Sequence, residues 1–101
     1  MTDVFAALAD PTRRTVMERL AREPATATQI AAELPVSRQA VAKHLGVLSD
    51  AGLVRAERAG RERRFSPTPA PLGEAISWMA RVGGEWDDRL AALQRYVGRG
   101  A

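Results

Sequence analysis

Apolar positions along the chain fall into five helical blocks and one alternating block. Val4, Phe5 and Leu8 predict a short helix within residues 3–9 that stops before the segment DPTRR. Val16, Met17 and Leu20 stripe a second helix, which Glu23-Pro24 ends. Asp10 suits its N-cap, and Pro11 suits its first position, where no N–H is needed. In TATQIAAEL, Thr26 and Gln29 have capping-box spacing, and Ile30 and Leu34 lie one turn apart on the inward side. Pro35 forbids simple continuation, PVS makes a turn, and Ser37 is a good N-cap for the next helix. Two short helices joined by a turn of about three residues predict a helix-turn-helix over residues 26–50 rather than a bundle hairpin.

The helix from Ser37 carries a mixed message. Val41, Leu45 and Leu48 define one buried face, with Gln39, Lys43 and Gly46 roughly opposite and Ala42 beside them. Ser37 and Arg38 occupy its N-terminal end. Gly46 lowers helix propensity by about 1 kcal/mol relative to alanine, a cost that close approach of another surface would offset. The first turns of a recognition helix lie against the edges of bases in a major groove, and this is the reading the face supports.

Beyond it, Gly52 suits a left-handed helix end, with Leu53 folding back on Leu48. Residues 53–66 then alternate as a β-hairpin, with Gly60 at the turn and Phe65 anchoring the returning strand. Arg58, Arg61, Arg63 and Arg64 tip this hairpin, which makes it a basic wing. Residues 68–97 carry the strongest periodicity in the chain. Leu72, Ile76, Met79, Gly83, Trp86, Leu90, Leu93 and Val97 step by four and three in strict alternation, a two-per-heptad seam broken only at Gly83. A helix about 40 Å long exceeds what so small a core can cover. It is therefore expected to dimerise, paired with the N-terminal helix of Phe5 and Leu8. The alternative is a helix lying across its own domain. Gly83-Gly84 is compatible with a break, a kink or a close helix–helix contact.

The predicted fold is mainly α with a small β-hairpin, in the order α-α-α-α-β-β-α, as one domain over 1–101 that dimerises through its terminal helices. Its 101 residues suffice for one small domain. Apolar residues at 46% argue against disorder, and no apolar run is long enough to suggest a membrane span. The first ten residues lack the pattern of a signal peptide, so a cytoplasmic protein is expected. The absence of cysteine removes disulfides and thiolate metal sites together.

Charge adds a location to this picture. Residues 37–66 hold seven basic and three acidic side chains, and the remainder holds eight basic and nine acidic. The positive excess thus sits on the helix-and-wing block, as expected of a nucleic-acid surface; a solvated basic face is the plainer alternative. One histidine, no nucleophile–base spacing and no glycine-rich phosphate loop leave no candidate catalytic residue.

The segments LADPTRR and VSRQAVAKHLGVLSDAGLVRAERAGRERRF, followed by a long terminal helix, resemble the ArsR-type family of winged helix-turn-helix repressors over nearly the whole chain. The resemblance implies a homodimeric transcription regulator that binds an imperfect palindromic operator in double-stranded DNA. It also implies DNA contacts by Ser37, Arg38, Gln39, Lys43 and His44 on the helix and by Arg58, Arg61, Arg63 and Arg64 on the wing. Metal-sensing members place cysteines on the helix before the turn, or carboxylate and histidine ligands on the last helix. Here the first location reads TATQIAAEL, and the last helix has Glu85, Asp87 and Asp88 without histidine. The chain is more similar to members without metal ligands, and no metal or other cofactor is expected.

Several residues keep two readings. His44 is either a DNA contact at the helix edge or a boundary packing residue. Arg61 either touches DNA, by phosphate or by insertion into a minor groove, or is a solvated hairpin arginine. Trp78 and Trp86 either fill a dimer core or line a pocket for an unidentified small-molecule effector. A functional alternative is a winged-helix interaction module that docks a protein partner through the heptad helix. It would leave no operator footprint.

Overall fold

The computed structural model describes residues 3–100, with the side chains of residues 90, 93, 94 and 96–100 outside the described set. Its elements are α1 (Val4–Ala7), α2 (Pro11–Arg22), β1 (Ala25–Thr26), α3 (Ala27–Glu33), α4 (Arg38–Asp50), β2 (Val54–Ala59), β3 (Glu62–Pro67) and α5 (Pro69–Gly100). This is the winged order expected, with one addition. The two-residue strand β1 pairs antiparallel with β3 and makes a three-stranded sheet ordered β1-β3-β2. Two residues carry no periodicity, so only the pairing partner defines this strand.

Helix ends follow the local chemistry of the sequence. The Asp10 carboxylate accepts the backbone N–H groups of Thr12 at 2.8 Å and Arg13 at 3.2 Å. These bonds hold its pKa below the usual 3.8, the Arg13 amide being the largest cause. The capping box at α3 is reciprocal: Thr26 N–H donates to Gln29 Oε1 at 2.9 Å, and Gln29 N–H donates to Thr26 Oγ1 at 3.2 Å. Arg19 forms a two-pronged ion pair with Glu33 and also donates to the Glu23 carbonyl at 2.9 Å, which ties the end of α2 to α3. That pairing lowers the Glu33 pKa.

The segment DPTRR does more than start α2. Arg13 Nε donates to the Ala7 carbonyl at 2.6 Å, and Arg14 Nη1 donates to the Leu8 carbonyl at 2.7 Å. The carbonyls that end α1 have no helical partner of their own. Two arginines from the next helix supply them, and so a four-residue helix keeps a fixed seat.

The core is one cluster. Val16, Met17 and Leu20 of α2, Ile30 of α3 and Val41, Leu45 and Leu48 of α4 bury their side chains with Ala7, Ala25, Leu53 and Val54. Leu8, Phe65 and Leu72 pack against it half-buried. The core therefore holds α4 by its inward face and leaves the opposite face outward.

Helix α5 leaves this core early. It is continuous through Gly83-Gly84, where an added Cβ would meet no atom within 4 Å. At 32 residues it is about 48 Å long. The radius of gyration is 19.0 Å, against about 13 Å for a compact chain of this size. Ala75 is buried on the rest of the domain, and Phe5 of α1 meets Trp78 at a ring-centroid distance of 5.5 Å. The seam residues Ile76, Met79 and Trp86 are 61%, 48% and 56% exposed. Among the described residues, no helix is long and apolar enough to cross a membrane.

Candidate nucleic-acid interface

Helix α4 starts and stops where its sequence dictates. Ser37 Oγ accepts the Ala40 N–H at 3.1 Å. At the other end, Gly52 takes φ +74° and donates to the Ser49 carbonyl at 2.9 Å, while Leu53 N–H reaches the Leu48 carbonyl at 2.9 Å. This double closure is the Schellman arrangement, which needs a left-handed residue at Gly52. It turns the chain sharply from α4 into β2, and so the wing lies beside the recognition helix.

Ser37, Arg38, Gln39, Ala42, Lys43 and Gly46 are all exposed. Gln39, Lys43 and Gly46 form the outward face, with Ala42 at its margin. A Cβ on Gly46 would meet nothing within 4 Å of the chain itself. The protein's own packing thus does not require the glycine.

His44 lies elsewhere. It is half-buried, about 140° around the helix from Gln39. Its Nδ1 is buried without a hydrogen-bond partner among the described residues. The ring thus belongs to the flank of α4 facing the body of the domain, and α4 does not present it beside Gln39 and Lys43.

The wing hairpin turns through Gly60-Arg61. Gly60 has φ +65°, whereas Arg61 is not left-handed, so the loop has the glycine-first pattern of a two-residue hairpin. Arg58, Arg61, Arg63 and Arg64 are exposed. Register explains their division. Arg58 pairs directly with Arg63 on one face, while Glu57 pairs with Arg64 on the other. Opposite charges across a ladder are favourable and like charges are not. The Arg58–Arg63 pair therefore concentrates positive charge on one face of the hairpin, which an external anion would relieve.

Two residues that local patterns did not single out join the site. Thr28 of α3 accepts from Arg38 Nε at 3.0 Å, and its own hydroxyl donates to Glu62 of β3. Arg38 Nη2 also faces Glu62 Oε1 at 3.4 Å. Sequence separations of 10, 24 and 34 residues hide this triad from any periodicity.

A helix joined by a short turn to a second helix with an exposed face, and a basic β-hairpin beside it, define a winged helix-turn-helix, a DNA-binding class. A family model described as a helix-turn-helix domain matches residues 8–57. The chain is 48% identical over 68 residues to the HTH-type transcriptional regulator Rv2034 of Mycobacterium tuberculosis, covering 67% of this chain and 64% of that protein. It is 31% identical over 90 residues to the transcriptional repressor SdpR of Bacillus subtilis, covering 89% of this chain and 100% of that one. A solved ArsR-like transcriptional regulator from Rhodococcus sp. RHA1 superposes with a TM-score of 0.78 at 46% identity, covering 91% of this chain and 87% of the other. The chain belongs to the ArsR-type family of winged helix-turn-helix transcriptional regulators, as a member without the cysteine metal-sensing motif. It is a DNA-binding regulator of transcription. Among the described residues, no group of three or more His, Cys, Asp or Glu side chains is placed to hold a metal ion.

Proposed function

We propose that this protein acts as a homodimeric repressor on an imperfect palindromic operator. The observation that carries the reading is the uncovered seam of α5, which continues far past the domain's own core while the basic helix and wing face outward. Two subunits joined through Phe5, Leu8 and the α5 seam would hold two α4 helices about 34 Å apart, one turn of the duplex. Leu8 and Leu72 contribute to this interface from positions half-buried on their own core. Leu90, Leu93 and Val97 continue the seam in sequence, and their side chains lie outside the described residues.

In each half-site, Gln39 and Arg38 read base edges: glutamine suits adenine, and arginine suits guanine. Ser37, Ala42, Lys43 and Gly46 line the approach, and Arg58, Arg61, Arg63 and Arg64 take flanking phosphates. His44, half-buried at the helix edge, meets a phosphate at the margin of the groove. Repression follows from occupying the operator and excluding polymerase. No metal takes part, and an effector pocket at Trp78 and Trp86 is not needed by this mechanism.

The test is a footprint of the purified protein on the DNA upstream of its own gene, with and without chelator. Symmetric protection that ignores chelator is expected. If a dimer neutralises some 6–10 phosphates, affinity falls about 10³–10⁵-fold between 50 and 200 mM salt. A nearly flat salt response, or a single-sided footprint, refutes the reading.

A further inference from the structure

The wing is basic except for Glu57 and Glu62. Glu57 is answered in register by Arg64. Glu62 sits opposite Ala59, next to the hairpin turn, where a carboxylate would repel an approaching phosphate. Its contacts give it a different use. Glu62 accepts from the Thr28 hydroxyl and faces Arg38 Nη2, and the same Thr28 oxygen accepts from Arg38 Nε. A hydroxyl has one proton to give and lone pairs to receive with. Donating to Glu62 and accepting from Arg38 fixes its orientation.

The consequence falls on Arg38. Its Nε and Nη2 groups, one edge of the guanidinium, are turned toward the protein. The side chain nevertheless remains 65% exposed. The edge left over is the end-on pair, Nη1 with the second proton of Nη2. That pair can still fork onto the two acceptors a guanine offers in the major groove. An unrestrained arginine has several rotamers and loses that freedom on binding. One already held at a single edge loses less, and it presents that edge in one orientation.

We propose that Glu62 and Thr28 are positioning residues for sequence recognition: they orient Arg38 across the gap between wing and recognition helix, and Glu62 exchanges some general DNA affinity for selectivity at the base pair Arg38 meets. The inference rests on the assignment of Arg38 as a base reader.

The experiment is in vitro selection from a pool of randomised duplexes with wild type, Arg38→Ala, Glu62→Ala and Thr28→Val, each checked by thermal melting. Wild type is expected to enrich a two-fold motif, and Arg38→Ala to lose one base-pair preference in each half. Glu62→Ala is expected to weaken that same preference about fivefold or more, leave the others in place, and bind unselected duplex about two- to fivefold better at low salt. Thr28→Val should weaken the same position without the gain on unselected duplex, since it removes no charge. Loss of preference at every position together, or unchanged preference in Glu62→Ala while Arg38→Ala loses its position, overturns the positioning role and leaves Arg38 as a reader. An unchanged motif in Arg38→Ala removes the reader assignment and the inference with it. Enrichment of no motif by wild type overturns both.

Discussion

Gly46 is exposed, helical and untouched by its own chain, which separates its effect on stability from its effect on binding. Gly46→Ala should stabilise the free protein by about 1 kcal/mol, raising Tm by roughly 4–8 °C for a domain of this size. If α4 lies as close to a groove as proposed, the same methyl weakens operator binding. A melt and a titration on one sample check both halves. Asp10 gives a pH signature. Its folded pKa is depressed, so its contribution is fully present above the unfolded value near 3.8 and is lost as pH falls through the lower folded one. Glu33 adds to the same acid limb from its own ordinary value of 4.5. Asp10→Asn keeps a good cap but removes the charge. Its melting temperature should therefore fall less than that of wild type as the solution is taken below the usual carboxylate range.

The wing and the N-terminal helix show how neighbours complete what an element lacks. Within the hairpin, Arg58 and Arg63 face each other in register, an arrangement unfavourable by about 0.2–1 kcal/mol in the free state. Arg63→Ala should leave the free fold equally or slightly more stable. It should weaken binding to all sequences alike and reduce the salt dependence by about one counterion. Gln39→Ala, by contrast, should lose preference for operator over random DNA. Comparable losses on both duplexes for Gln39→Ala would move it from reader to bystander. Helix α1 is too short to stand alone, and the carbonyls it cannot satisfy are taken by Arg13 and Arg14. Through Phe5 and Trp78 it then steadies the base of α5.

The whole molecule is extended because α5 outruns its own core. Its longest dimension is 68 Å, against 26 and 24 Å across. Ile76, Met79, Trp86 and Phe5 leave large apolar side chains exposed on and beside α5, the kind of surface that marks an interaction site. A second copy would cover it. Sedimentation should report a dimer at micromolar concentration. Ile76→Asp should shift the protein toward monomer and lower operator affinity far more than affinity for a single half-site. A wild-type monomer across the working concentration range would remove the paired-helix geometry on which operator recognition depends.

The sequence by itself determined the order of the helices and the hairpin, the caps at Asp10, Thr26 and Ser37, the left-handed turns at Gly52 and Gly60, and the inward face of α4. Each of these is settled within a few residues, by hydrogen bonds and spacings that recur with the helical or strand period. The basic character of the helix-and-wing block was legible for the same reason, since charge needs no partner to be counted. Tertiary structure alone decided that Ala25 and Thr26 form a strand, because two residues become one only against Phe65 and Arg64 of β3. It decided that α5 runs unbroken through Gly83-Gly84, that His44 is half-buried while Gln39 and Lys43 are exposed, and that Arg38 meets Thr28 and Glu62. Those outcomes depend on which residues the folded chain brings together from distant positions, and no local period encodes that.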